Sequence, residues 1–304
     1  MIFTERCIRY IKVFISVTML LMCFGCHKDE KPFHIDTDSI NSFSYINDEL
    51  DFPLHSDKYL LVDLSDFSFT HAHRNDVVMY PASLTKVLTL DTVLNLEDDL
   101  DQMSYVTADQ VKYLVEEDAS LACIQSDYNY SLEDLLYGLI LPSGADAALA
   151  LENYFASKGI DLVYEMNKHA QEIGCTNSHF VNTTGLHDDD LYTTLDDMFL
   201  IVMDALKFEK GREILESLHH TMADGLKVSS GIRILNVNPH TIVLGGKTGY
   251  TPEAGQNIII LYKNKGKSYM LLLGNAPGSY LYDQYWHYDD SLTVLDELYE
   301  KTES

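Results

Sequence analysis

NIIILYKNKGKSYMLLLG, residues 257–274, sets two β-rich apolar runs, Asn257–Tyr262 and Ser268–Gly274, on either side of Lys263-Asn264-Lys265-Gly266. That pattern predicts two neighbouring strands joined by a short turn. A similar pair is expected near the other end of the chain, Tyr59–Asp63 and Phe67–His71 around Leu64-Ser65-Asp66. Between the pairs the apolar residues recur at helical spacing. The first helix is expected over Ser83–Leu96, with Pro81 just ahead of it and Leu84, Val87, Leu88 and Val93 on its apolar side. Others are expected at Thr107–Val115, Leu132–Leu141, Ala145–Ser157, Leu162–Ile173 and Thr194–Lys207, and Tyr280–Glu300 reads as a closing amphipathic helix. The middle helices alone would leave the strands at 59–71 and 257–274 without partners, so the two ends are expected to meet. The predicted class is α+β, one sheet assembled from distant pieces with a helical insertion.

Composition narrows the rest. The chain has 304 residues, 46% apolar and 22% charged, which is globular composition with much to bury. With 16 Gly, 7 Pro and 5 Cys it is not collagen-like, a disulfide scaffold or wholly disordered. Lys and Arg number 21 against 47 Asp and Glu, a balance of −26. A nucleic-acid partner is excluded on that ground, because binding phosphate takes a cationic surface. Neither a linker nor an internal repeat interrupts the pattern from Leu50 to Leu298.

The N-terminus reads as an address. Arg6, Arg9 and Lys12 precede the apolar stretch Val13–Phe24 and then Gly25-Cys26, as in a secretory signal. The stretch is too short to span a bilayer, which takes about 20 apolar residues. Gly25-Cys26 resembles the end of a bacterial lipoprotein signal, where the Cys is lipidated and becomes the new N-terminus; Cys23 stands where Leu is usual. The expected organisation is a signal over 1–25, a polar Ser/Asp/Asn-rich tether over 26–48 beginning at lipidated Cys26, and one domain over 49–304. The domain would then sit outside the cytoplasm, anchored to the membrane by lipid. Losing Arg6, Arg9, Lys12 and Glu5 with the signal takes the balance to −28. Of the cysteines beyond Cys26, Cys123 and Cys175 are expected as buried small hydrophobes rather than a bridge.

Pro81-Ala82-Ser83-Leu84-Thr85-Lys86 carries the first chemistry. Ser83 and Lys86, three apart on a first helical turn, lie on one face within reach of each other. A Ser hydroxyl becomes a nucleophile when a neighbouring base takes its proton, and a Lys serves as that base once burial or a second cation lowers its pKa. Alone, Ser-x-x-Lys is a weak signal. Gly245-Gly246-Lys247-Thr248-Gly249 strengthens it. A phosphate loop there would need Gly where Thr241 stands, in a strand-like flank, so that reading fails. The alternative is a Lys-Thr-Gly strand edge, with Lys247 and Thr248 binding a carboxylate and Gly249 letting substrate lie against the backbone. Leu141-Pro142-Ser143-Gly144-Ala145-Asp146-Ala147 is a tight turn between two helices and supplies Ser143 as a third member.

Three such strings in this order mark penicillin-binding proteins and class A β-lactamases. Over about residues 50–300 the chain resembles a serine-type D-alanyl-D-alanine carboxypeptidase, a low-molecular-mass penicillin-binding protein. Ser131–Glu152 (SLEDLLYGLILPSGADAALALE), Phe180–Met198 (FVNTTGLHDDDLYTTLDDM) and Gly246–Gly255 (GKTGYTPEAG) carry the likeness. It implies a β-lactamase/transpeptidase-like α+β fold, an antiparallel sheet flanked by helices with a helical subdomain and the site in the cleft between them. It also implies hydrolytic removal of the terminal D-Ala from peptidoglycan stem peptides, with β-lactams as inhibitors and no cofactor or metal. Ser83 would form the acyl-enzyme, Lys86 would be the base with its pKa lowered partly by Lys247, and Ser143 would relay a proton to the leaving amine. Lys247 and Thr248 would hold the substrate carboxylate, with Gly249 beside them, and the N–H groups of Ser83 and Tyr250 would form the oxyanion hole.

The family's second motif, Ser-x-Asn, reads Ser143-Gly144-Ala145 here. A lost hydrogen bond to a charged group costs about 1.5–3 kcal/mol, so a weakened homologue that binds or slowly acylates D-Ala-D-Ala ends is the alternative. A β-lactamase is the lesser one, since no Glu-x-x-Asn of the class A kind follows Ser143. Asp146 reads as a first-turn helix acid facing away from the site. His71, His73, His219 and His220 have no acidic or Cys partner recurring at ligand spacing, and His187 and Tyr192, in the loop beside the site, are expected to pack or to face solvent rather than to position the deacylating water.

Overall fold

The hairpin at 257–274 is longer and its loop tighter than its sequence predicts. In the computed structural model, which describes residues 49–64, 70–232, 241–278 and 284–301, the strands run over Gly255–Asn264 and Lys267–Ala276. Only Lys265 and Gly266 remain as the loop, both at positive φ, 49° and 83°. A two-residue turn of that hand matches the twist of the strands, so Lys263 and Asn264 are drawn into the ladder.

In chain order the strands are β1 (Lys58–Asp63), β2 (Thr70–His73), β3 (Met103–Ser104), β4 (Tyr130–Ser131), β5 (His219–Thr221), β6 (Lys227–Ser229), β7 (Thr241–Thr251), β8 (Gly255–Asn264) and β9 (Lys267–Ala276). The helices are α1 (Thr85–Leu96), α2 (Ala108–Glu116), α3 (Leu132–Ile140), α4 (Ala145–Ser157), α5 (Leu162–Glu172), α6 (Leu195–Ala205), α7 (Glu209–Leu215) and α8 (Trp286–Lys301). Five strands form an antiparallel sheet in the order β2-β1-β9-β8-β7. The two ends of the domain therefore do meet: Leu60 of β1 stands opposite Leu272 of β9.

Alternate residues of the sheet face opposite layers. Ile258, Ile260, Tyr262, Leu271 and Leu273 cluster with Val294 and Leu295 of α8. Leu60, Ile259 and Leu272 are equally buried on the other face, where α6 packs on β1 and β9. Burial on both sides explains why these strands read as unbroken apolar runs. Helix α1 is buried from Thr85 to Leu94 and packs against α3, α5 and α6.

The helix starts follow from side-chain caps. Thr107 forms a capping box with Gln110 ahead of α2, and Ser131, Asp161 and Thr194 accept from the N–H groups of Asp134, Tyr164 and Asp197. Thr107 and Thr194, predicted as first helical residues, are thus N-caps. The second strand lies later than predicted: its described part is Thr70–His73, and residues 65–69 fall outside the described ones. The closing helix begins at Trp286, with 279–283 likewise outside. The signal and the tether from Cys26 to Asp48 also lie outside the described residues. Among the described residues no helix is long and apolar enough to cross a membrane. Cys123 and Cys175 form no disulfide; Cys175 is buried as expected, whereas Cys123 is half-buried.

Candidate active site

Pro81-Ala82-Ser83 enters α1 through a single 3-10 turn, Ala82–Leu84. Ala82 takes φ 48°, and backbone closes in on both sides. A Cβ on Gly249 would lie 2.8 Å from the Pro81 carbonyl oxygen and 3.2 Å from the Ser83 nitrogen. A Cβ on Gly185, itself at φ 74°, would lie 2.0 Å from the Ala82 oxygen. Only glycine fits at either position. Ser83 is half-buried, just ahead of a helix that is buried from Thr85 to Leu94.

One turn on, Lys86 is 2% exposed. Its Nζ lies 3.0 Å from Ser83 Oγ and also donates to the carbonyl of Thr184. Burial lowers its pKa to about 7, with the Asp146 carboxylate pulling the other way. The expected contribution of Lys247 is corrected accordingly. Desolvation is the cause at Lys86, and the repulsion between the two ammonium groups falls on Lys247, whose pKa burial drives well down.

Lys247 lies within β7, the edge strand, and donates from Nζ to Ser143 Oγ and to the Thr248 carbonyl, both at 2.8 Å. Ser143 sits between α3 and α4 at φ 64°. Gly144 N–H donates to the Gly138 carbonyl at 2.9 Å and Ala145 N–H to that of Ser120 at 2.8 Å, which fixes the turn. Thr248 is half-buried against Gly231, where a Cβ would come within 3.0 Å of its Oγ1. Tyr250 follows Gly249 on the same strand and is half-buried. The structure thus places Ser83 with Lys86, Ser143 with Lys247, and Gly249 against the turn that carries Ser83.

Two residues do more than their sequence indicates. Asp146 is in the first turn of α4, as predicted, but it is 1% exposed. Its carboxylate accepts from the N–H groups of Ala122 (2.8 Å), Ala147 (3.0 Å) and Ile124 (3.2 Å), pinning the preceding loop against the Ser143 turn. Asn182 accepts from the N–H groups of Thr184 (3.1 Å) and Gly185 (2.7 Å) and donates to the Leu186 carbonyl (3.0 Å). That side-chain turn aims the Thr184 carbonyl at Lys86, so Lys86 has a second partner although position 145 is Ala. The sequence signal is Asn182-Thr183-Thr184-Gly185, where an Asn side chain can bond backbone two and three residues on.

The remaining candidates find local partners. His187 packs edge-on against Tyr80, with ring centroids 4.8 Å apart, and Tyr192 lies against His179. His73 pairs with Glu49, His219 with the Ser229 hydroxyl, and His220 with Asp134 while stacking on Tyr137. A group that sequence reasoning missed is Asp91, His169 and Asp204, whose ligand atoms lie within 4.8 Å of one another. Burial opposes charge on His169, but hydrogen bonds to Asp204 and Asp91 outweigh it and hold the pKa at about 9. The imidazole is therefore a cation at neutral pH and an ion-pair partner to the two carboxylates.

A serine hydroxyl beside a lysine whose pKa is about 7 can act as nucleophile, with the neutral fraction of the amine as base. A second buried lysine with a hydroxyl and a strand edge beside it can hold an anion. The chain matches the peptidase S11 family, described as D-alanyl-D-alanine carboxypeptidase, over residues 47–276.

It belongs to that family.

Among related carboxypeptidases, DacF of Bacillus subtilis is 28% identical over 183 residues, covering 57% of this chain and 45% of its own length. DacA of Haemophilus influenzae is 26% identical over 231 residues, covering 73% and 58%. The chain thus spans about half the length of these two relatives. The crystal structure of the Streptomyces K15 DD-transpeptidase superimposes with a TM-score of 0.71 at 21% identity, over 82% of this chain and 98% of that one. Ampicillin-bound penicillin-binding protein D2 of Listeria monocytogenes gives 0.65 at 22%, over 81% and 98%. This carboxypeptidase-family chain therefore has the β-lactamase/transpeptidase-like α+β fold.

Proposed function

We propose that the protein is a serine-type D-alanyl-D-alanine carboxypeptidase that trims the terminal D-Ala from peptidoglycan stem peptides. The observation that carries this reading is Ser83 Oγ at 3.0 Å from a buried Lys86 whose pKa is about 7. Neutral Lys86 takes the Ser83 proton as Oγ attacks the penultimate D-Ala carbonyl. The N–H groups of Ser83 and Tyr250 stabilise the oxyanion. The tetrahedral species collapses, the C–N bond breaks, and the proton that Lys86 took from Ser83 passes through Ser143 to the leaving amine. Lys247 and Thr248 hold the terminal carboxylate until the D-Ala leaves. Water then attacks the acyl-enzyme, giving its proton to Lys86, and the shortened peptide leaves with Ser83 restored. A β-lactam opens by the same attack, but its amine stays attached and the adduct persists. Family membership and the Ser83–Lys86 and Lys247–Ser143 contacts support this reading.

Intact-mass spectrometry of the full chain mixed with benzylpenicillin tests it. An adduct of one drug mass that maps to Ser83 and is lost in Ser83→Ala is expected; no adduct at high drug concentration overturns it. The N-terminal pattern supports an extracytoplasmic lipoprotein held at the membrane through Cys26. A Cys26→Ser chain that still fractionates with lipid after processing would discard that anchor.

A further inference from the structure

Ser83 is held from behind by a line of two side-chain amides, the nearer of them fully buried. Asn257 of β8, 0% exposed, donates from Nδ2 to the carbonyls of Tyr80 (3.0 Å) and Pro81 (3.3 Å). These are the two residues ahead of Ala82, whose φ of 48° is an uncommon conformation for a side chain with a Cβ. The orientation of the Asn257 amide is fixed by chemistry. Its Oδ1 accepts from the backbone N–H of Asn275 at 2.9 Å, a group that can only donate, so Nδ2 must face the two carbonyls.

Asn275 can do this because β9 carries a bulge. Gln256 pairs with Ala276 but Ile258 pairs with Leu273, so β9 spends one more residue than β8 across the interval, and Asn275 takes φ 56°. A bulge releases a backbone group from the ladder and re-aims it. The Asn275 side chain is itself clamped: Oδ1 accepts from Lys58 Nζ and Nδ2 donates to the Ala254 carbonyl, both at 2.7 Å. Lys58 is 4% exposed and reaches from β1. Hydrogen bonds thus run without a break from Lys58 through Asn275 and Asn257 to the nucleophile turn.

A residue held in the left-handed region is strained and persists only where its surroundings over-determine it. Gly249 and Gly185 leave room for the turn but do not pull on it. Asn257 does, through both carbonyls before Ala82. We propose that Asn257, oriented by Asn275, is a positioning residue for acylation of Ser83. The inference rests on Ser83 being the nucleophile.

Time courses of benzylpenicillin acylation on the full chain, followed by intact mass across drug concentrations, separate the rate at saturation from the affinity of the preceding complex. Asn257→Asp keeps the acceptor for Asn275 but sets a carboxylate oxygen against two carbonyls, and Asn257→Ala removes the grip. Both are expected to acylate about a hundredfold slower at saturation, the cost of an ångström's misplacement, with affinity within about threefold. Gln256→Ala is the control for lost stability. That neighbour is also fully buried but faces α8, donating to the Gln284 carbonyl and bonding His287. It is expected to lower the melting temperature while acylating within about threefold of wild type. If the Asn257 variants do not fold, Asn275→Gly carries the test: it keeps the left-handed backbone and the N–H but loses the clamp, and about tenfold slower acylation is expected. Wild-type rates in these variants, or an equal slowing in Gln256→Ala, overturn the inference while leaving the Ser83 reading intact. A wild-type chain that forms no adduct overturns both.

Discussion

Lys86 is enclosed by Ser83, the Thr184 carbonyl and α1, and its amine gives up its proton near pH 7 because burial disfavours the ammonium. Only the neutral amine can take the Ser83 proton. Acylation is therefore expected to rise with pH through about 7 and to fall about tenfold per unit well below it, as the protonated fraction grows. The pH dependence of the benzylpenicillin acylation rate reads this directly, and a flat profile from pH 5 to 9 would remove Lys86 as the base. Ser83, Lys86, Ser143 and Lys247 were legible in the sequence because short motifs fix their spacing on a helix, a turn and a strand. Asp146, Asn182 and Asn257 were not. Asp146 and Asn257 act on backbone brought near by folding, and the local turn that Asn182 signals does not name Lys86 as the group its Thr184 carbonyl meets.

Among the elements, boundaries were legible where a cap or a period marks them, as at Thr107, Thr194 and the start of α4. The β5–β6 hairpin was not, since three-residue strands are too short to show alternation. Nor was α7, where Gly211 approaches the Ala205 carbonyl so closely that a Cβ would lie 2.1 Å away. The joint between α1, α5 and α6 was also hidden, because Asp91, His169 and Asp204 are each unremarkable in sequence. His169 Nε2 lies 3.0 Å from Asp91 and 3.2 Å from Asp204. Its pKa is raised from 6.5 to about 9, so its stabilisation is fully present below about pH 6.5 and is lost as pH rises through about 9. The melting-temperature gap between wild type and His169→Gln should be widest near pH 6.5 and narrow toward pH 9.5. A gap constant over that range would refute the ion-pair role.

For the whole molecule, the sheet joins the two ends of the domain and α8 closes one face of it. The segment before β1 packs on the core beside α8 through Leu50, Phe52 and Leu54 and is bonded to α8 through one carboxylate. Asp290, 2% exposed, accepts from the His55 N–H (2.9 Å), the Ser56 N–H (2.7 Å) and Ser56 Oγ (2.6 Å), while its other contact is His55 Nδ1 (2.9 Å). His55 also stacks on Trp286 with centroids 4.2 Å apart. Asp290→Ala leaves buried donors unsatisfied at about 1–3 kcal/mol each, which for a domain of this size means a melting temperature lower by roughly 5–10 °C. Acylation at 25 °C should stay within about twofold of wild type. An unchanged melting temperature would show that the fastening does not hold α8.

That fastening also sets how the domain bears tension. A pull on the chain ahead of His55 first meets the Glu49–His73 pair and the bond from the Leu50 N–H to the Tyr59 hydroxyl, and then the Asp290 bonds must yield before strain passes to Lys58, two residues beyond Ser56. Lys58 begins the line of amides that ends at the Ser83 turn. Asp290 is thus the last of a series of fastenings between the chain ahead of β1 and the line of amides behind the nucleophile, like the innermost clamp where a cable enters its housing.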